Sequence, residues 1–201
     1  SPSYPDSEKA TIGNMSEAVN DVLQFLFIDK CSVVGHSLGG YVALNLKSID
    51  HKNVIEKVVL LNSHPWADSD LKRKERMRIV NIVDHNKLFF LNEAIPNLYR
   101  NPSQHKKEVQ LQLEEAFKMT DVAIIQSLIA MGERRDSVAV MKELGKKCLV
   151  IQGKYDHLIA YREMEKFTKK YNNKCCIIEK AGHMAHIESE DEVVNHLSNF
   201  I

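Results

Sequence analysis

A serine, an aspartate and a histidine in this sequence stand in settings where each could serve covalent acyl transfer. Ser37 is the centre of Gly35-His36-Ser37-Leu38-Gly39-Gly40, a G-x-S-x-G pattern that fits a sharp strand-to-helix corner. A serine backbone is strained at such a corner, so the pattern calls for small residues two before and two after it, here Gly35 and Gly39. The Leu38 amide would open the next helix and point at a substrate oxygen, where a developing negative charge needs a donor. A serine hydroxyl is a poor nucleophile at neutral pH and needs a base that a carboxylate orients. Candidates lie in Gly153-Lys154-Tyr155-Asp156 and Ala181-Gly182-His183, each following an apolar run that reads as a strand. The chain order is Ser37, Asp156, His183.

Other histidines compete for these parts. His186 is the alternative base, but it lacks the preceding glycine that frees the loop at His183. His36 reads first as a residue packing the corner, with substrate contact as the sharper alternative. His157, beside Asp156, reads as a pocket or surface side chain. His183 and His186 have no carboxylate or cysteine at ligand spacing, so no metal is expected, and acyl transfer by a serine requires no cofactor.

The elements that must position these groups follow from hydrophobic spacing. Met15, Ala18, Val19, Val22, Leu23 and Leu26 recur at helical intervals, with Asn14 or Thr11 as N-cap. Cys31 to Val34 is a short strand, and Tyr41, Val42, Leu44 and Leu46 mark the helix after the corner. Val54 to Leu61 contains a continuous apolar core, the pattern of a strand buried on both faces of a parallel sheet. From His64 to Lys146 the character is helical, with periods over Leu71 to Val83, Val109 to Phe117 and Val122 to Met131. Phe117, Met119, Met131 and Met141 read as the core of that block, with Phe117 and Met131 as candidates to line a substrate pocket. The Lys72 to Arg76 run reads as a solvated face. Strands resume at Cys148 to Ile151 and Cys175 to Ile178, separated by a helix around Met164, Phe167 and Tyr171. Ser189 with Glu192 has capping-box spacing for the last helix, whose inner face is Val193, Val194, Leu197 and Ile201. The fold class is therefore α/β: a mostly parallel sheet flanked by helices, in the order 1–63 core, 64–146 helical cap insertion and 147–201 core.

Composition limits the partners. The 201 residues carry 27 Lys plus Arg against 27 Asp plus Glu, so the basic excess that nucleic-acid binding requires is missing. No apolar run approaches the roughly 20 residues that cross a bilayer, and Ser1 to Ala10 is too polar for a signal peptide. Four cysteines without C-x-x-C spacing, three of them in apolar runs, read as free thiols and favour a reducing, cytoplasmic setting. A small-molecule substrate is the partner expected.

Taken together, Lys30 to Gly40, Val150 to Asp156 and Gly182 to Glu188 make the chain resemble the capped, esterase-like branch of the α/β-hydrolases over essentially its whole length. The resemblance implies Ser37 as nucleophile, His183 as base and Asp156 as orienter, and it separates the chain from the related dehalogenases, which carry Asp at the Ser37 position. The implied function is hydrolysis of a small ester, or a related acyl or carbon-carbon substrate, through an acyl-enzyme. The alternative is a hydrolase-fold binding protein, or a fragment inactive without a preceding part. The resemblance also implies further strands before the Cys31 strand and a His-Gly pair in a second oxyanion loop, neither of which this sequence holds. Ser1 is a boundary rather than a translation start, and the chain is expected to be either a fragment or a natural short form. In the first case the Cys31 strand is an open edge through which the chain self-associates.

Overall fold

The computed structural model describes residues 9–201, so the polar lead read over Ser1 to Ala10 falls outside them except for its last two residues. Helix α1 (Ile12–Phe25) is capped by Thr11, whose side chain accepts from the Asn14 amide, and leads to β1 (Cys31–His36) and α2 (Leu38–Ser48). Strand β2 (Ile55–Leu61) is followed by α3 (Asp70–Asn97), α4 (Lys106–Phe117), α5 (Asp121–Glu133) and α6 (Val138–Leu144). Then come β3 (Cys148–Gly153), α7 (Tyr161–Tyr171), β4 (Lys174–Ile178), α8 (Ala185–Glu188) and α9 (Glu190–Ser198). The sheet has the order β1-β2-β3-β4 and every pairing is parallel.

Successive side chains of a strand point to opposite faces, so the apolar runs of β2 and β3 divide between two cores. Val58, Leu60, Cys148 and Val150 face Leu44, Met141 and Met164 from α2, α6 and α7. Val59, Leu61, Leu149 and Ile151 face Val193 and Phe200 at the C-terminal end. Each such side chain contributes roughly 1.5 to 3 kcal/mol on burial, and this holds both helical layers on the sheet. Burial also pushes the Cys148 thiol up to about 12, and all four cysteines are free.

A third core lies apart from the sheet, where Val80, Val83, Leu91, Val109, Leu113, Ile124 and Leu128 join α3, α4 and α5. Phe117 and Met131 pack against it. Met141 does not: α6 lies under the sheet with Met141 fully buried, so the last helix of the inserted block packs with the α/β layers. Met119 is exposed between α4 and α5. Helix α3 breaks at Asn86, whose side chain accepts from the Phe89 amide and restarts the helix. At Ser189 the expected capping box does not form, because its side chain makes no cap bond although it is the N-cap of α9.

The Lys72 to Arg76 run is also only partly a solvated face. Arg76 turns inward to Asp68 in the loop after β2, and the same carboxylate meets Arg134 at 2.8 Å. Arg134 lies 3.9 Å over the Tyr41 ring of α2 and donates to the Trp66 carbonyl at 2.8 Å. One buried acid thus ties α3 and the end of α5 to the helix behind Ser37. Burial alone would raise the Asp68 carboxyl, but the Arg76 hydrogen bond and the charges of Arg76 and Arg134 outweigh it and hold it below the ordinary carboxylate range.

Removing that acid leaves two cations without a partner, so Asp68→Ala is expected to cost about 3 kcal/mol of unfolding free energy at neutral pH, measured by urea denaturation. A carboxyl depressed by folding stabilises above its unfolded pKa and loses that contribution as pH falls through its folded value. The two proteins should therefore converge in strong acid. A second expectation concerns β1, which has no outer neighbour among the described residues and carries an exposed Val34, while Val22, Phe25 and Leu26 of the α1 region are exposed as well. Unpaired edges recruit other chains. Sedimentation should show the chain associating as concentration rises, and Val34→Lys should weaken that association; a concentration-independent monomer would count against it.

Candidate active site

The parallel register brings the carboxyl ends of the strands into line, with His36 beside Leu61, Leu61 beside Ile151 and Gly153 beside Ile178. Backbone bonds continue the ladder beyond them: Ser37 N–H donates to Leu61 O at 3.0 Å, Asn62 N–H to Ile151 O at 2.9 Å and Lys154 N–H to Ile178 O at 3.0 Å. Residues that follow the strands are therefore delivered to one rim.

Ser37 has φ 53° and ψ −118°, a positive-φ conformation unfavourable for an L residue, and it caps α2 without using its side chain. The corner closes so tightly that a Cβ on Gly35 would lie 2.3 Å from the Gly39 carbonyl oxygen. The crowding on the helix side falls at Gly40, where a Cβ would lie 2.2 Å from Ser63 Oγ. Gly39, by contrast, has open space at its Cβ position, so the +2 glycine expected from the motif is not the one that a side chain would crowd. Ser63 Oγ donates to the Ser37 carbonyl at 2.7 Å and braces the corner. As the first residue of α2, Leu38 has an amide with no acceptor inside the helix, and that amide points out of its positive end.

Ser37 Oγ lies 2.9 Å from His183 Nε2, and His183 Nδ1 lies 2.8 Å from Asp156 Oδ2. A carboxylate only accepts, so His183 carries its proton on Nδ1 and leaves Nε2 free to accept from the serine hydroxyl. His186 does not reach Ser37; its ring packs 4.6 Å from that of His36. His36 Nε2 donates to the His183 carbonyl at 2.9 Å, fixing the main chain of that residue from below. Burial, followed by the neighbouring His183 and His186, pulls the His36 pKa down to about 4, so it is neutral at pH 7. His157 is exposed.

Asp156 is almost fully buried, and sequence reasoning missed the side chains that permit this. Asn62 Nδ2 donates to Asp156 Oδ2 at 2.9 Å and to the Gly182 carbonyl at 3.0 Å, while Gln152 Nε2 donates to Oδ2 at 2.8 Å. The amides of Leu158 and Ile159 donate to Oδ1 at 2.9 and 3.2 Å. Burial alone would raise this carboxyl, but the hydrogen bond and charge of His183, with Asn62 and Gln152, outweigh it and hold it below the ordinary range. The available signal was a polar residue interrupting each apolar run at its carboxyl end.

Met131 packs against the cluster of Tyr41, as Leu38 does, and so lies near the serine corner, whereas Phe117 packs only against the core of α3, α4 and α5. A cavity of about 520 Å³ opens behind α2, bordered by Tyr41, Asn45, His64 and Arg134, but neither Ser37 nor His183 lines it.

A family model described as the alpha/beta hydrolase fold matches residues 1–190. The chain belongs to the α/β hydrolase family. Among the relatives of this chain is a protein named putative carbamate hydrolase RutD from Serratia proteamaculans, 36% identical over 76 residues, which are 38% of this chain and 27% of that protein. A protein of the same name from Agrobacterium fabrum is 24% identical over 96% of this chain and 77% of its own length. The chain thus spans about a quarter of the Serratia protein in the first match and about three quarters of the Agrobacterium protein in the second. A thermophilic esterase from Thermogutta terrifontis superposes with a TM-score of 0.88 at 21% identity, covering all of this chain and 75% of that one. An esterase from Exiguobacterium antarcticum gives 0.86 at 17%, again over all of this chain and over 77% of that one. At these identities the likeness is one of fold.

Asn62→Ala is expected to slow any reaction of Ser37 with an electrophile and to lower stability by about 1 to 3 kcal/mol, because a buried carboxylate oxygen and the Gly182 carbonyl lose a donor. Rates of fluorophosphonate labelling beside thermal melts of parent and variant would measure both.

Proposed function

We propose that the chain is a serine hydrolase that cleaves a small ester, or a related acyl or carbon-carbon substrate, through an acyl-enzyme on Ser37. One observation carries this reading: the continuous hydrogen-bonded line from Ser37 Oγ through His183 to a buried, ionised Asp156, at 2.9 and 2.8 Å. His183 Nε2 takes the hydroxyl proton as Oγ forms a bond to the carbonyl carbon, and the Leu38 amide donates to the oxygen that becomes negative. As the bond from carbon to the leaving oxygen breaks, His183 returns its proton to that oxygen. Water then loses a proton to the same nitrogen, attacks the acyl carbon and releases the acid, and Ser37 recovers its hydrogen. Asp156 holds the tautomer and the imidazolium throughout. The carbamate hydrolase and esterase names of the similar proteins fit attack on a carbonyl carbon bearing a heteroatom leaving group. The substrate is a small molecule, Met131 beside the serine corner is a pocket-lining candidate, and no cofactor enters the chemistry.

A fluorophosphonate probe should label Ser37 alone, and Ser37→Ala should abolish labelling. His183→Ala and Asp156→Asn should each lower turnover of p-nitrophenyl acetate by roughly 1,000-fold or more in protein that circular dichroism shows to be folded. Equal labelling of Ser37→Ala protein, or full turnover by His183→Ala protein, would overturn the reading.

A further inference from the structure

The loop carrying His183 is attached to the cap by a side chain that the catalytic reading leaves without a task. Glu188, at the end of α8, turns its carboxylate back across the loop. Oε2 accepts from the Gly182 amide at 2.6 Å, while Oε1 accepts from the Arg100 amide at 2.7 Å and the Asn101 amide at 3.4 Å. One carboxylate therefore bridges the residue before His183 and the segment that follows α3. The two stretches also bond directly, since the His183 amide donates to the Leu98 carbonyl at 2.9 Å. They pack so closely that a Cβ on Gly182 would lie 2.7 Å from the Arg100 nitrogen and 3.1 Å from the Leu98 oxygen. Arg100 also covers the Tyr155 ring of the neighbouring aspartate loop, at 3.8 Å. The His183 backbone is thus held from two sides: its amide by the cap segment and its carbonyl by His36.

We infer that Glu188 is a positioning residue for His183, joining the Leu98–Asn101 segment to the histidine loop so that the imidazole stays aligned on Ser37. The inference rests on His183 acting as the base. Two anionic oxygens suit this place because three amides converge on them, and hydrogen bonds to a charged acceptor are stronger than neutral ones. Glutamine could serve only one arm, because its amide nitrogen would face an N–H on the other. A displacement near 1 Å at a reacting group costs on the order of 100-fold in rate, so the bridge acts on turnover without touching substrate.

The test uses the 201-residue chain and its Glu188→Ala, Glu188→Gln and His183→Ala variants, with fluorophosphonate labelling rates, kcat and KM on p-nitrophenyl acetate, and the folded fraction by circular dichroism. Glu188→Ala is expected to slow labelling and lower kcat by about 10- to 100-fold, with KM within about twofold, and Glu188→Gln should fall between it and the parent. Should Glu188→Ala not fold, the intermediate rate of folded Glu188→Gln decides. Parental rates in a folded Glu188 variant, or losses that merely follow the folded fraction, would overturn the inference. Parental rates in His183→Ala would instead remove the reading beneath it, whereas a slow His183→Ala beside an unaffected Glu188→Ala would remove the inference alone.

Discussion

A carboxylate buried without donors would take up a proton instead of keeping its charge, and much of this molecule is arranged so that Asp156 need not. Its two oxygens draw donors from the loop after β2, from β3, from their own loop and from the histidine loop. None of these groups is near all the others in sequence. They meet only because the strands run parallel and end together. The Asp156 environment therefore requires the sheet register as much as the sheet requires its apolar faces.

The strands were legible because burial on both faces leaves an unbroken apolar run, and Val58 to Leu61 and Cys148 to Ile151 are such runs. The helices between β2 and β3 were legible from their period. What sequence could not assign was the partner of each element. The α6 pattern is apolar enough for either the core of α3 to α5 or the sheet, and only three-dimensional packing assigns Met141 to the latter. Arg76 belongs to a charged run that reads as solvent-facing, yet Asp68 draws it inward. A charge buried by a distant counter-ion leaves no local trace.

At the rim the same division holds. Ser37, Asp156 and His183 were legible as candidates because each stands in a loop opened by glycine after an apolar run, and the folded chain brings their side chains into one line. Asn62, Gln152 and Glu188 were not, since asparagine at a turn, glutamine in a strand and glutamate at a helix end each have an ordinary explanation. Asn62 and Glu188 bond to segments far along the chain, and Gln152 serves a carboxylate only four residues on whose other partners come from distant loops. Gly40 is the converse case: the motif points to Gly39, whereas the contact with Ser63 that demands glycine arises only when β2 is in place.

The inserted helices enter the chain between β2 and β3, so the pairing of Leu61 with Ile151 closes a loop of roughly ninety residues. Closing a flexible loop of that length costs about 4 kcal/mol in chain entropy, before its constant contribution, unless the inserted helices have already condensed on their own core. That core is separate from the two on the sheet, so the inserted helices can collapse locally and shorten the span that remains to be closed. Chains rich in distant contacts fold slowly because this entropy is lost before the contacts repay it. Ser37 lies on the early side of the closure, and Asp156 and His183 on the late side. The active line is thus completed only when this long-range event has occurred.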